Sequence, residues 1–181
     1  MKVVLTAINA KYIHSNLAVH SLRKCAERYA DHITLCEYTI NNYADDILMD
    51  LYKKKPDVLC FSCYIWNLTY VEELIREVKK IFPMLPIWVG GPEVSYDAQD
   101  VLKRLPEVTG VMFGEGEATF LELVEFYHGK KSSIAQIEGI AYPVTSVNGK
   151  TGEVKLAAAD VGALASSYKS TVDSLNKRWN V

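Results

Sequence analysis

Pro86-Ile87-Trp88-Val89-Gly90-Gly91-Pro92-Glu93 is a short apolar run closed by proline on either side and left through a Gly-Gly-Pro turn. It is too short for a helix and reads as a buried strand. Paired glycines at a strand exit remove two Cβ atoms where the backbone turns, so another group can approach closely. In an open α/β sheet, ligands lie beyond the carboxyl ends of the strands, where such turns sit. Judged alone, a tight strand-to-helix turn without a ligand explains the stretch as well.

The neighbouring segments repeat the pattern. Upstream, Val71, Leu74, Ile75, Val78 and Phe82 form a helical stripe, and Thr69 with Glu72 fits a capping box at its start. Before it lies the apolar run Val58 to Tyr64, the third strand from the N-terminus. Lys2 to Ile8 is a nearly continuous apolar run, as expected of a central strand. Ser15 or Asn16 can cap the following helix, whose stripe is Ala18, Leu22, Cys25, Ala26 and Tyr29. Ile33 to Tyr38 alternates and suits a strand nearer an edge. A short helix from Asp45 or Asp46 then turns Ile47, Leu48 and Leu51 inward. Downstream, a short helix spans Asp97 to Leu105, and Val108 to Phe113 makes a fifth strand. That strand leaves through Gly114-Glu115-Gly116-Glu117 into a helix carrying Phe120, Leu121, Val124 and Tyr127, which Gly129 stops.

Strands and helices in alternation call for a parallel sheet covered on both faces. The expected architecture is a doubly wound α/β fold, a five-stranded parallel sheet of flavodoxin-like order 2-1-3-4-5. The turns at Asn9, Ser62, Gly90 and Gly114 would then rim one crevice. Residues 1–143 form this domain and 144–181 an appendage. Within the appendage, Asn148-Gly149 and Thr151-Gly152 signal a hairpin with Val154 to Leu156 returning. Gly139-Ile140-Ala141-Tyr142 could add one more short strand.

Of 181 residues, 49% are hydrophobic and 23% charged, the balance of an ordinary soluble domain. A net charge of −2 carries no footprint for nucleic acid or an anionic membrane. No apolar run reaches the roughly 20 residues of a membrane span, and the expected compartment is the cytoplasm. The C-x-x-C spacing of Cys60 and Cys63 lies in a predicted strand, where residues three apart face opposite ways. Both thiols therefore read as core.

The crevice turns exclude several chemistries. A phosphoacceptor domain needs acidic residues after the first strand, an aspartate after the third and a lysine after the fifth. Asn9, Ser62 and Gly114 stand there instead. The only G-x-G, Gly114-Glu115-Gly116, brings two carboxylates with Glu117 that would repel a dinucleotide phosphate. What remains is a glycine-lined crevice with few fixed charges, suited to a large, nearly neutral ligand. His14 is the histidine placed on its rim, where it could serve as a metal ligand.

Asn9-Ala10-Lys11-Tyr12-Ile13-His14-Ser15-Asn16, Ser62-Cys63-Tyr64, Gly90-Gly91-Pro92-Glu93 and Gly114-Glu115-Gly116-Glu117 together resemble the N-terminal cobalamin-binding domain of radical S-adenosylmethionine enzymes. That group includes anaerobic magnesium-protoporphyrin monomethyl ester cyclase-like proteins and cobalamin-dependent methyltransferases. The resemblance covers about residues 1 to 143. It implies a cobalamin (vitamin B12) whose nucleotide tail is lined by Ser62, Gly90 and Gly91, with Tyr64 replacing the leucine of the S-x-L motif. Asn9, Tyr12, Ile13 and His14 would face the corrin, and Gly114, Glu115, Gly116 and Glu117 would close the far side. Pro92 and Glu93 complete the turn after the fourth strand. The D-x-H-x-x-G mark is missing, with Asn9 and Lys11 near its aspartate and histidine positions. A histidine-off cofactor is implied unless His14 takes the cobalt.

The family's iron–sulfur motif, C-x-x-x-C-x-x-C, does not occur. The chain is therefore expected to lack the S-adenosylmethionine-cleaving half and to work as a module with a radical S-adenosylmethionine catalytic domain as partner. Residues 145–163 resemble a phage tail-fibre repeat instead. Two other readings stand beside this one. The first is a non-catalytic protein-interaction domain with a vestigial crevice. The second is an enzyme using Glu93, Glu115 or Glu117 as acid or base, although loop glutamates commonly serve the helix dipole.

Overall fold

Alternate residues of the central strands divide the buried core into two layers. Val4, Ile8, Leu59, Phe61, Ile87 and Val89 point to one face, and Val3, Leu5, Ala7, Val58, Cys60 and Trp88 to the other. Strands buried on both faces have no polar side to show, which is why they read as continuous apolar runs. The computed structural model describes residues 1–11 and 15–143, with the backbone of Ser146–Val147 and Lys150–Thr151.

Five strands are parallel: β1 (Val3–Asn9), β2 (Ile33–Thr39), β3 (Val58–Ser62), β4 (Ile87–Gly90) and β5 (Gly110–Met112). The order is β2-β1-β3-β4-β5, as expected, and a sixth strand extends it. β6 (Ile140–Ala141) pairs antiparallel with β5, so the sheet has six strands where five were expected. Helices α1 (Leu17–Cys25), α2 (Ala44–Lys54), α3 (Leu68–Ile81), α4 (Pro92–Ser95), α5 (Ala98–Arg104) and α6 (Gly116–Tyr127) connect the strands. Val19 and Ala26 beside α1, with Phe120, Leu123 and Val124 of α6, cover one face. Ile47 and Leu51 of α2, Val71, Leu74, Ile75 and Val78 of α3, and Val101 and Leu102 of α5 cover the other. Helices on both faces of a mostly parallel sheet make a doubly wound α/β fold.

Trp88 fills the layer beneath α6. Its ring is fully buried and its Nε1–H donates to the Tyr127 hydroxyl at 3.0 Å. Gly110 makes room for it on β5, since a Cβ there would come within 2.4 Å of the ring. Cys60 and Cys63 lie in opposite layers, both buried, so their thiols diverge as the strand period requires.

Two local expectations change. The start of α3 is Asn67, not a Thr69–Glu72 capping box, because the Asn67 side chain is committed to neighbouring backbone and Glu72 pairs with Arg76 and Arg104. Cys25 is exposed, so α1 turns Val19 inward in its place. In a separate unit beginning at Val144, β7 (Ser146–Val147) pairs antiparallel with β8 (Lys150–Thr151), and the return expected at Val154 to Leu156 lies outside the described residues. Residues 152–181 lie outside the described residues. Among the described residues, no helix is long and apolar enough to cross a membrane.

Candidate functional site

Parallel pairing aligns the carboxyl ends of the central strands in one row. Ala7 of β1 stands level with Ser62 of β3, Ser62 with Gly90 of β4, and Gly90 with Met112 of β5. The chain order reverses between β1 and β3, and helices leave the sheet on opposite sides there, opening a crevice.

A polar network holds the β1 and β3 ends of the row. Asn16 caps α1, its Oδ1 accepting from the amides of Ala18 and Val19 at 3.1 and 3.4 Å. Its Nδ2 donates to Ser62 Oγ at 3.4 Å, and its own amide donates to Glu37 Oε2 at 2.8 Å. Glu37 also accepts from Asn9 Nδ2 at 3.0 Å and meets His20 Nε2 at 2.8 Å. Partial burial pushes the Glu37 carboxyl up, but the bonds from Asn16, His20 and Asn9 outweigh it and hold the group below its ordinary value. Asn67, fully buried, ties β3 to β1: its Nδ2 donates to the carbonyls of Ile8 (2.9 Å) and Ser62 (3.0 Å), and its Oδ1 accepts from the Tyr64 amide (2.8 Å). Trp66 Nε1 donates to the same Ile8 carbonyl at 3.2 Å, and its ring stacks on Tyr64 at 4.5 Å between centroids.

Beside this network, between the sheet and helices α1 and α6, lies a cavity of about 580 Å³. Its inner wall is apolar, from Leu5, Val19, Leu22, Cys60 and Met112. Burial pushes the Cys60 thiol up to about 12, so the wall carries no thiolate. The mouth is formed by Ser62, Tyr64, Gly90, Gly91, Pro92 and Gly114 to Glu117, with Ser95 and Tyr96. The charged residues of the lining are Glu115 and Glu117, and Glu117 Oε1 accepts from Ser21 Oγ at 2.8 Å.

The glycines of the rim have different reasons. Gly91 is required by the protein itself: its φ is +118°, and a Cβ would fall 2.4 Å from the Cys63 carbonyl oxygen. At Gly90 a Cβ would stand 3.4 to 3.6 Å from Met112, in ordinary contact, on the side that faces the cavity. Gly114, at φ +75°, has nothing within 4 Å of its Cβ position. The open approach expected of both Gly90 and Gly91 therefore belongs to Gly90 alone.

Ser62, Tyr64, Gly90, Gly91, Pro92, Gly114, Glu115, Gly116 and Glu117 are thus brought together around one cavity. Asn9 and Glu93 are not part of its lining. Asn9 is turned to Glu37 on the neighbouring strand, and Glu93 sits in the first turn of α4. Tyr12, Ile13 and His14, the last the residue that could take the cobalt of an otherwise histidine-off cofactor, lie outside the described residues. Among the described residues, no three His, Cys, Asp or Glu side chains converge as a metal site. Leu5, Cys60 and Met112 were legible only as core, because a cavity wall on a central strand carries the same apolar signal as a filled layer.

Such a slot admits a flat apolar body from the carboxyl edge and leaves polar groups at the mouth for whatever follows it. The residues present fit the nucleotide tail of a cobalamin in this respect: an apolar interior, a hydroxyl at Ser62, and a bare backbone at Gly90. Among proteins of known function, a 2-(S-pantetheinyl)-carbapenam-3-carboxylate methyltransferase of Streptantibioticus cattleyicolor is 41% identical over 69 residues, 38% of this chain and 10% of that protein. The cobalamin-dependent radical SAM methyltransferase TokK of Streptomyces tokunonensis is 36% identical over 70 residues, 39% of this chain and 10% of TokK. The matches thus cover a tenth of each curated relative. In solved structures, the cobalamin-dependent S-adenosylmethionine radical enzyme OxsB, with aqua-cobalamin and S-adenosylmethionine bound, shares the fold. Its TM-score is 0.64 at 17% identity, over 85% of this chain and 22% of OxsB. The model of the B12 binding domain matches residues 3–124, from β1 into α6 and across every turn of the rim, and the chain belongs to that family.

Proposed function

We propose that this module binds a cobalamin with its nucleotide tail in the slot and presents the corrin to a radical S-adenosylmethionine catalytic domain. The observation that carries the reading is the apolar slot at the carboxyl edge, with the bare backbone of Gly90 facing it. Leu5, Cys60 and Met112 would form its floor. Ser62 Oγ, with a proton to donate, would meet a polar atom of the tail. The mouth at Tyr64, Pro92, Gly114 and Gly116 would lie against the corrin periphery. A bound cobalamin supplies a methyl group or a cobalt-centred electron to the partner's reaction. This chain's residues bind and orient it and shield its tail from water.

The surface around the mouth supports a partner domain. Leu17, Ile65 and Tyr96 are 81%, 78% and 96% exposed, and they follow β1, β3 and β4 on the same edge. Large apolar side chains on one rim suit a surface that is covered in use. No histidine ligand from below is required by this arrangement, so the cofactor is held through its tail.

Absorbance titration with hydroxocobalamin tests the proposal. Saturable binding of one equivalent supports it. The absence of any spectral change at near-millimolar ligand overturns it and leaves the interaction-domain reading.

A further inference from the structure

We propose that the slot selects corrinoids by the base on their nucleotide tail, accepting a benzimidazole-type base and rejecting a purine. The inference rests on the reading of the slot as the nucleotide site and adds which class of cofactor it takes.

The slot's inner surface offers almost nothing to hydrogen-bond. Leu5, Val19, Leu22 and Met112 have no protic group, and the buried neutral thiol of Cys60 is a weak donor. Nearby backbone acceptors are already engaged. The Ser62 carbonyl accepts from Asn67 Nδ2 at 3.0 Å, the Gly90 carbonyl from the Cys63 amide at 2.7 Å, and the Gly91 carbonyl from Ser95 Oγ at 2.8 Å. The hydroxyls stand at the mouth, on Ser62, Tyr64, Ser95 and Tyr96, and of these Ser62, at the end of β3 beside Cys60, accepts from Asn16 at 3.4 Å and has its own proton to donate. Glu115 and Glu117, which would welcome an amine, stand at the mouth on the start of α6, and Glu117 is held by Ser21.

A benzimidazole carries a single free ring nitrogen and an otherwise apolar surface, so one hydroxyl satisfies it. An adenine adds an exocyclic amine and further ring nitrogens. Inside the slot these would lose water and find no partner, and each unmatched buried group weakens binding by about tenfold or more.

Titrating the whole chain with three probes separates this inference from the reading beneath it. The probes are hydroxocobalamin, the analogue bearing adenine as its base, and cobinamide, which lacks the nucleotide. The expected result is that the adenine analogue binds at least about tenfold more weakly than hydroxocobalamin, with cobinamide weaker still. Equal affinity for hydroxocobalamin and the adenine analogue, both well above cobinamide, overturns base selection while leaving the nucleotide slot in place. Equal affinity for all three shows that the tail does not occupy the slot and overturns both. Adding a partner at the wall gives an independent check: Met112→Gln should narrow the gap between the two bases, and an unchanged gap in a folded variant counts against selection by unmet hydrogen bonds.

Discussion

Filling the slot from its bare side should abolish cofactor binding without unfolding the protein. Gly90 is the position to use, since it lines the cavity and the atoms nearest an added Cβ are those of Met112, at 3.4 to 3.6 Å. Gly90→Ala would add one methyl group in ordinary contact, whereas Gly90→Leu would send a branched chain into the space between Leu5, Cys60 and Met112. An aromatic bicycle of nucleotide-base size buries about 150 Å². At about 25 cal/mol/Å² its expulsion forfeits close to 4 kcal/mol, or a factor of several hundred in affinity. Partial accommodation of the leucine reduces this, so a loss of about 100-fold or more is expected for Gly90→Leu. Gly90→Ala should stay within about threefold. The assay is absorbance titration with hydroxocobalamin, paired with thermal melts of each variant. A Gly90→Leu protein that melts normally and binds hydroxocobalamin as tightly as wild type would refute the placement of the tail.

Other perturbations separate what holds the rim from what the rim holds. Gly91→Ala forces a Cβ to within 2.4 Å of the Cys63 carbonyl at a φ of +118°, so it should cost about 2 kcal/mol or more in denaturant unfolding. Asn67→Ala leaves the Ser62 carbonyl and the Tyr64 amide without their partner, while Trp66 still serves Ile8, and should cost about 2–4 kcal/mol by the same measurement. The Glu37 carboxyl sits below its ordinary value in the fold, so its contribution is complete above about 4.5, the unfolded value, and is lost as pH falls through the lower folded one. The stability gap between wild type and Glu37→Gln should therefore be widest at neutral pH and close in acid. In folded protein, a thiol alkylating agent should add one adduct, at Cys25, because Cys36, Cys60 and Cys63 are buried and burial raises all three.

Much of the fold was legible because both-face burial leaves a plain signal. Apolar runs at Lys2 to Ile8 and Val58 to Tyr64, divided by helical stripes, call for parallel strands joined by right-handed crossovers, whereas the order 2-1-3-4-5 came from choosing the flavodoxin-like arrangement among those such crossovers allow. The sixth strand was barely legible: Ile140 and Ala141 are two residues whose pairing depends on the exposed edge of β5. Sequence placed the turns of the rim on one edge, but not the use of their side chains. Asn9 was expected to face a ligand, and the structure adds that its amide meets Glu37, a contact set by the β1–β2 register in which Ala7 stands opposite Glu37. Thr69 and Glu72 had the spacing of a cap, yet Asn67 bonds across to β1, fifty-nine residues away in sequence at Ile8. Local pattern cannot report bonds made over such separations. Gly90 and Gly91 look alike in sequence, and only the approach of the Cys63 carbonyl tells them apart.

The most direct measurement is a structure of the protein crystallised with hydroxocobalamin. The tail is predicted to run between α1 and α6 with its base against Leu5, Cys60 and Met112 and its polar edge at Ser62. A slot closed by its own side chains, or a corrinoid held anywhere else on the surface, would contradict that prediction.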